Sequence, residues 1–390
     1  MEGWRATSWP KRSWRAVVDV RPSEFKGMLP LPRFTKISPT DKEARLLWPS
    51  WAKRLEKDKH GLHAILPLAP GFETRMRWIP PGKFVMGSPE DEKGRWDDEG
   101  PQHWVELSRG FWLADAPCTQ AEWAAVMGTE GKAPDHPVVN VSWDECRQFC
   151  AGLQARFPGL EARLPTEAEW EYACRAGTPS AFNDGSRCTE PRGKDPALER
   201  LGWFSQNSGG GTHKVRETKD AANNWGLFDM HGNVWEWCSD FWSDKYEPGD
   251  QSDPTGPAEG LGRVCRGGSW CRLARYCRSA CRVRGRPSVR LVNLGFRLAS
   301  GQVSQASQAS QQASSREASG PEARGAPAAS RRWSTEPLAP RACASMGDTY
   351  EEAISNIREA VGCHLEGLRM DGLPAPPPRA HFTMVDVEAA

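Results

Sequence analysis

No Cys-x-x-Cys pair and no His-x-x-x-His spacing occurs among the twelve cysteines and eight histidines of this 390-residue chain. This excludes a zinc ribbon and a helical two-histidine metal site. Overall charge is also nearly absent, at a formal +1, so no global field draws the protein to nucleic acid or to an anionic membrane. Residues 1–20 mix Trp with Arg and Lys and hold no apolar run of signal-peptide or membrane-spanning length. A cytoplasmic location with no membrane partner is therefore expected, with most cysteines read as reduced, buried or reactive thiols.

Two things are abundant. Nineteen tryptophans are present, far above ordinary usage, and Trp serves both large cores and binding surfaces. Charge is polarised locally: residues 263–297 hold ten Arg and no acidic residue, whereas residues 90–99 read Glu-Asp-Glu-Lys-Gly-Arg-Trp-Asp-Asp-Glu.

Composition divides the chain into a Trp/Pro-rich extension over residues 1–70, a main domain over 71–299, a Ser/Gln/Ala-rich flexible linker over 300–340 and a C-terminal piece over 341–390. Trp4, Trp9, Trp14, Trp48 and Trp51 are expected to pack on the main domain. Strands are predicted from His60 to Leu68, from Met76 to Pro80, around Lys83–Met86 and from Gln102 to Ser108. Three helices announce themselves by capping boxes, in which a Thr or Ser is answered by Glu three residues later: Thr119 with Glu122, Ser142 with Glu145, and Thr166 with Glu169. A last amphipathic helix is predicted over Asp348–Leu368, since Ile354, Ile357, Val361, Leu365 and Leu368 recur at helical spacing.

Five segments carry a family resemblance in the order Trp78-Ile-Pro-Pro-Gly-Lys-Phe-Val-Met-Gly-Ser, Pro137-Val-Val-Asn-Val-Ser-Trp, Arg163-Leu-Pro-Thr-Glu-Ala-Glu-Trp, Asn224-Trp-Gly-Leu-Phe-Asp-Met-His-Gly-Asn-Val-Trp-Glu-Trp, and the frame from Gly267-Gly-Ser-Trp to Leu294-Gly-Phe-Arg. Together they resemble the formylglycine-generating enzyme, or sulfatase-modifying factor, family. The resemblance implies an α+β, C-type-lectin-like fold with much irregular structure, followed here by the linker and the C-terminal helix.

In catalytic relatives two cysteines of the closing frame bind copper(I) and use oxygen to convert a substrate cysteine to formylglycine; soft thiolates suit that ion. Cys277 stands where the second belongs. Five residues earlier, where the first belongs, is Arg272; Cys271 is its neighbour. The resemblance thus implies Cys271, Cys277 and Ser269 as the catalytic set, with copper as cofactor only if the chain is an oxidase.

The fillings of the frame suggest otherwise. Ordinary relatives place Asn and Asp where this chain has Cys271, Arg272, Leu273, Tyr276, Cys281, Val283, Gly285, Ser288, Leu291 and Val292. That pattern resembles the variable proteins of diversity-generating retroelements, in which Asn codons are randomised on a fixed scaffold. The ten residues are accordingly expected to face outward as a surface for a protein or other ligand, while Arg266, Arg278 and Arg297 act as internal clamps. Arg272, Arg275, Arg284 and Arg286 suit an acidic or phosphate-bearing partner, and without aromatic interleaving nucleic acid is not expected.

Asn233, Val234 and Glu236 match positions that hold calcium in catalytic relatives, with Asn207 a weaker candidate at a second site; the alternative is that Glu236 pairs with an Arg. Finally, the stretch from Gly347-Asp-Thr-Tyr-Glu-Glu-Ala resembles the second half of a HicB-type antitoxin, which implies a toxin-type partner for the last helix.

Overall fold

The computed structural model describes residues 49–129, 131–218 and 221–301. The expectations for Trp4, Trp9, Trp14 and Trp48, for the linker beyond Gly301 and for the helix over 348–368 lie outside these residues.

Thirteen strands are present among the described residues: β1 (Arg54–Asp58), β2 (Gly61–Ala69), β3 (Phe72–Ile79), β4 (Gly82–Met86), β5 (His103–Leu107), β6 (Phe111–Ala114), β7 (Ala162–Arg163), β8 (Trp235–Phe241), β9 (Gln251–Ser252), β10 (Arg263–Arg266), β11 (Arg282–Gly285), β12 (Leu294–Gly295) and β13 (Ala299–Ser300). The helices are α1 (Gln120–Met127), α2 (Trp143–Arg156), α3 (Glu167–Arg175) and the single turn α4 (Leu198–Leu201). They assemble three sheets, ordered β1-β2-β3-β6-β13-β7, β11-β10-β8-β12 and β4-β5-β9. The first sheet begins at Arg54, so residues 54–70 form part of the main sheet although the sequence reading sets them in the extension. Trp51 packs edge-on against Trp112 at 5.7 Å.

Each long helix starts where its cap dictates. The side chains of Thr119, Ser142 and Thr166 accept from the backbone N–H three residues on, and Glu122, Glu145 and Glu169 answer to the cap N–H. The two bonds satisfy donors that a helix start leaves open. α2 buries Trp143, Cys146, Phe149, Cys150 and Leu153, a stripe at i, i+3, i+4 and i+7 spacing. Phe149 stacks on Trp123 at 5.5 Å and meets Phe296 edge-on at 5.2 Å. Strand β5 alternates as expected: His103, Val105 and Leu107 point inward, and Trp104 is 45% exposed.

Helix α3 is different in kind, because every residue from Glu167 to Arg175 is buried. Charges rarely go inside unpaired, and here the neighbouring sheet supplies the partners. The closing segment returns through that layer: β10 pairs antiparallel with both β8 and β11, and β12 runs parallel to β8. Gly295 in β12 is demanded by packing, since a Cβ there would stand 2.3 Å from the Val138 carbonyl oxygen.

Candidate functional site

Beneath the closing segment lies a set of buried arginine clamps. Arg297 grips Glu236 through Nε and a terminal nitrogen, both at 2.6 Å. Arg282 grips Glu167 at 2.7 and 2.8 Å. Arg278 bonds Glu92 at 2.5 Å and Glu99 at 2.8 Å, and Arg266 donates to Glu171 and to the carbonyls of Ala280 and Cys281. All four side chains are buried. A planar guanidinium fork matched to a carboxylate is the one arrangement that makes such burial tolerable. Burial raises the Glu171 carboxyl, but Arg175 and Arg266 outweigh it and hold the group below its ordinary range. At Glu92 desolvation prevails over Arg278, and the pKa is raised.

The two charge runs of the sequence thus meet in space. The acidic stretch 90–99 wraps the closing segment: Glu92 and Glu99 hold Arg278, the Gly94 carbonyl accepts from Arg275 and Arg278, and the Asp98 carbonyl accepts from Arg282. Arg266, Arg278 and Arg297 are the clamps expected from sequence. Arg282 is a fourth that the sequence did not single out; its partner Glu167 lies 115 residues away.

On this base both thiols of the expected catalytic pair approach Ser269, Cys271 its hydroxyl and Cys277 its backbone N–H. Asn293 Nδ2 donates to both Ser269 Oγ (3.0 Å) and Cys271 Sγ (3.1 Å), and Ser269 Oγ stands 3.6 Å from the same sulfur. Cys277 Sγ instead points toward the Leu273 carbonyl at 3.9 Å and packs with Phe182, Cys188 and Phe204. A Cβ on Gly268 would fall 2.5 Å from it. Desolvation pushes the Cys277 thiol well above its ordinary range, opposed by the Ser269 backbone N–H. Cys271 Sγ faces Asn293 and Ser269 while Cys277 Sγ sits under Gly268, and Arg272 occupies the place of the first thiolate. A two-thiolate copper site here would need Cys271 in place of residue 272 as its first ligand.

The ten positions expected to face outward divide. Ser288 is exposed, and Arg272, Leu273, Val283, Gly285, Leu291 and Val292 are half-buried. Cys271, Tyr276 and Cys281 are buried, which corrects the sequence reading. Tyr276 is drawn inward by aromatic neighbours, with Trp96 at 6.0 Å and Trp235 at 6.4 Å. Cys281 belongs to the main apolar core. Trp96 was missed altogether: it is half-buried at the rim, and the Arg275 guanidinium lies 3.8 Å above its ring. Its place in a charged run, between Arg95 and Asp97, gave no apolar pattern to read.

The calcium positions are likewise engaged elsewhere. Glu236 is committed to Arg297 and accepts from Trp170 Nε1 at 2.8 Å. Asn233 Oδ1 accepts from His213 N–H at 3.0 Å and its amide donates to the His213 carbonyl at 3.1 Å. Val234 is buried apolar core. Asn207 closes its own turn, accepting from Phe204 N–H (2.8 Å) and donating to the Gly202 carbonyl (2.9 Å). With the one carboxylate neutralised by a guanidinium, these residues do not fit a hard divalent cation. Neighbouring His231 is a packed residue: Nδ1 donates to the Cys277 carbonyl (2.8 Å), Nε2 accepts from Asn183 N–H (3.1 Å), and burial lowers its pKa to about 4.

The fold and this closing segment define a C-type-lectin-like scaffold of the formylglycine-generating type. The profile of the sulfatase-modifying factor enzyme 1-like domain matches residues 69–302, and the chain belongs to that family. A formylglycine-generating enzyme of Bos taurus is 35% identical over 198 residues, covering 48% of this chain and 50% of that protein. One from Thermomonospora curvata is 32% identical over 286 residues, covering 57% of this chain and 91% of its own length. Among solved structures, Treponema denticola variable protein 1 superposes with a TM-score of 0.50 at 30% identity, over 59% of this chain and 95% of that one. The match thus spans about half the length of the mammalian relative.

Proposed function

We propose that this protein is a binding member of the sulfatase-modifying factor family, with its ligand surface in residues 270–293 and its sequence there set by retroelement diversification. One observation carries the reading. Arg266, Arg278, Arg282 and Arg297 are consumed internally by carboxylates and carbonyls, while Leu273, Val283, Leu291 and Val292 in the same segment remain half-exposed. A backbone held from beneath by charge-assisted bonds lets surface side chains change without loss of the fold. The similarity to Treponema denticola variable protein 1 supports the same reading.

Sequencing the DNA around the gene tests it. A second copy of the codons for residues 271–292, carrying adenines at the unusual positions and lying beside a reverse-transcriptase gene, is the expected result. A gene with no such copy contradicts diversification.

A second reading, formylglycine generation, is favoured by the similarity to enzymes of that name. It requires Cys271 to stand in for a thiolate one residue later, and the arginine at 272 counts against it.

A further inference from the structure

We infer that Arg263 and Arg147, gathered on the ring of Trp143, form an anion site that takes the doubly charged phosphate of a phosphate monoester. The site adjoins the proposed ligand surface, because Trp143 N–H donates to the Pro287 carbonyl at 2.9 Å. Its residues lie outside 270–293, however, and its test is independent of that reading.

Arg263 differs from the four clamps. It opens β10 and stands opposite Phe241 of β8, with its guanidinium 3.3 Å from the Phe241 ring centroid and 3.9 Å from that of Trp143. The Trp143 ring is itself held in place, buried and donating through Nε1 to the Cys238 carbonyl at 2.8 Å. Contact with ring faces attracts the cation but leaves the edge donors of a guanidinium unused. Of these, Nη1 donates to the Ser239 carbonyl at 2.7 Å, Nε is buried without an acceptor, and Nη2 has no acceptor among the described residues.

No carboxylate among the described residues is in ion-pair contact with Arg263. The acids that act on it do so at longer range: Asp240 is bonded to Glu167 N–H and Ser239 Oγ, and Asp144 is exposed. Desolvation pushes the guanidinium down to about 10 against them, and the charge of Arg147 adds to the lowering. Arg147 follows Trp143 by one turn of α2, which sets the two side chains on one face, and its guanidinium lies 5.2 Å from the Trp143 centroid. It is exposed and likewise has no carboxylate partner among the described residues. The neighbouring Arg284 and Arg290, by contrast, face Asp244 at 3.6 Å and Glu145 at 2.9 Å.

Two guanidiniums that share a ring and lack counter-charge define the ligand. A phosphate monoester carries a charge of about −1.5 to −2 at pH 7 and three acceptor oxygens, so it accepts from two forks at once. A carboxylate brings one charge and two oxygens and satisfies one fork. The apolar walls strengthen such bonds relative to open water.

Phosphorus NMR on the full chain tests the inference, with O-phosphoserine as the probe. The expected result is saturable broadening with a Kd on the order of a millimolar or below, which acetate at matched ionic strength does not reverse. Arg263→Met should weaken binding by at least about tenfold, the loss of a charge-assisted fork. That variant also loses packing on two rings; Arg147 is exposed, so Arg147→Met keeps the fold and should still weaken binding several-fold. Lys57→Met, which removes an exposed cation from β1, should bind as the parent does. A phosphoserine pentapeptide that binds more tightly than the free amino acid assigns the ester to a modified protein, and weaker binding assigns it to a small molecule. Absence of saturable broadening, parental affinity in Arg147→Met, or displacement by acetate overturns the inference.

Discussion

Arg297 and Glu236 form a bidentate pair with neither side chain exposed to solvent. The pair joins the end of the closing segment to β8, and Arg297 also donates to the carbonyls of Ala114 (3.2 Å) and Phe228 (3.0 Å). Removing one partner leaves the other charge buried and unmatched, a loss of about 3–5 kcal/mol. Glu236→Gln and Arg297→Met should each show it in urea denaturation. A loss under about 1 kcal/mol would mean that the clamp does not hold the frame.

Surface and scaffold should respond unequally. Leu273→Asn and Leu291→Asn should shift stability by no more than about 0.5–1 kcal/mol, because both residues are only half-buried. Phe296→Ala and Tyr276→Asn should cost about 3–5 kcal/mol, since both rings are buried among aromatics. Thermal melts in which Leu273→Asn and Leu291→Asn lose as much as Phe296→Ala would place Leu273 and Leu291 in the core.

Two buried groups pull the pH dependence in opposite directions. Burial, aided by Glu167, raises Asp240 to about 7. The folded protein keeps this proton where the unfolded chain has released it near 3.8, so Asp240 removes stability as pH rises from about 4 to about 7. His231 is lowered to about 4 by burial. The unfolded chain takes up that proton near 6.5 and the folded one does not, so His231 removes stability as pH falls from about 6.5 to about 4. Asp240→Asn keeps an oxygen for the bonds from Glu167 N–H and Ser239 Oγ and removes the aspartate effect while leaving the histidine effect in place. Its stability relative to the parent should rise with pH between about 4 and about 7 and exceed that of the parent at pH 8. A profile parallel to the parent's at every pH would contradict the assignment.

The thiols should be silent in the native state. All ten cysteines among the described residues are buried and none is in a disulfide, and burial raises Cys118, Cys146, Cys265 and Cys277 well above the ordinary range. Ellman's reagent should reach these ten only after denaturation. Fast native labelling of Cys277, located by mass spectrometry, would show a reactive thiol where the packing has an inert one.

What was legible in the sequence follows the range of the interactions. The capping boxes at Thr119, Ser142 and Thr166 are local and fixed three helix starts. The alternation around Val105 fixed a strand for the same reason. The clamps were legible only by half: ten Arg with no acidic residue beside them must find partners elsewhere in the chain, but Glu99 lies 179 residues from Arg278 and Glu171 lies 95 from Arg266. The inward turn of Tyr276 and Cys281 was hidden for the same reason, because Trp96 and the core that receive them come from distant elements.

The central claim is that this scaffold binds rather than oxidises. The most direct measurement supplies copper(I) and oxygen to the full chain with a peptide bearing a Cys-x-Pro-x-Arg motif and follows the peptide by mass spectrometry. With Arg272 in place of a thiolate and Cys277 buried beneath Gly268, the peptide should keep its cysteine unchanged. Formylglycine that accumulates with the parent chain and vanishes with Cys277→Ser would contradict the account.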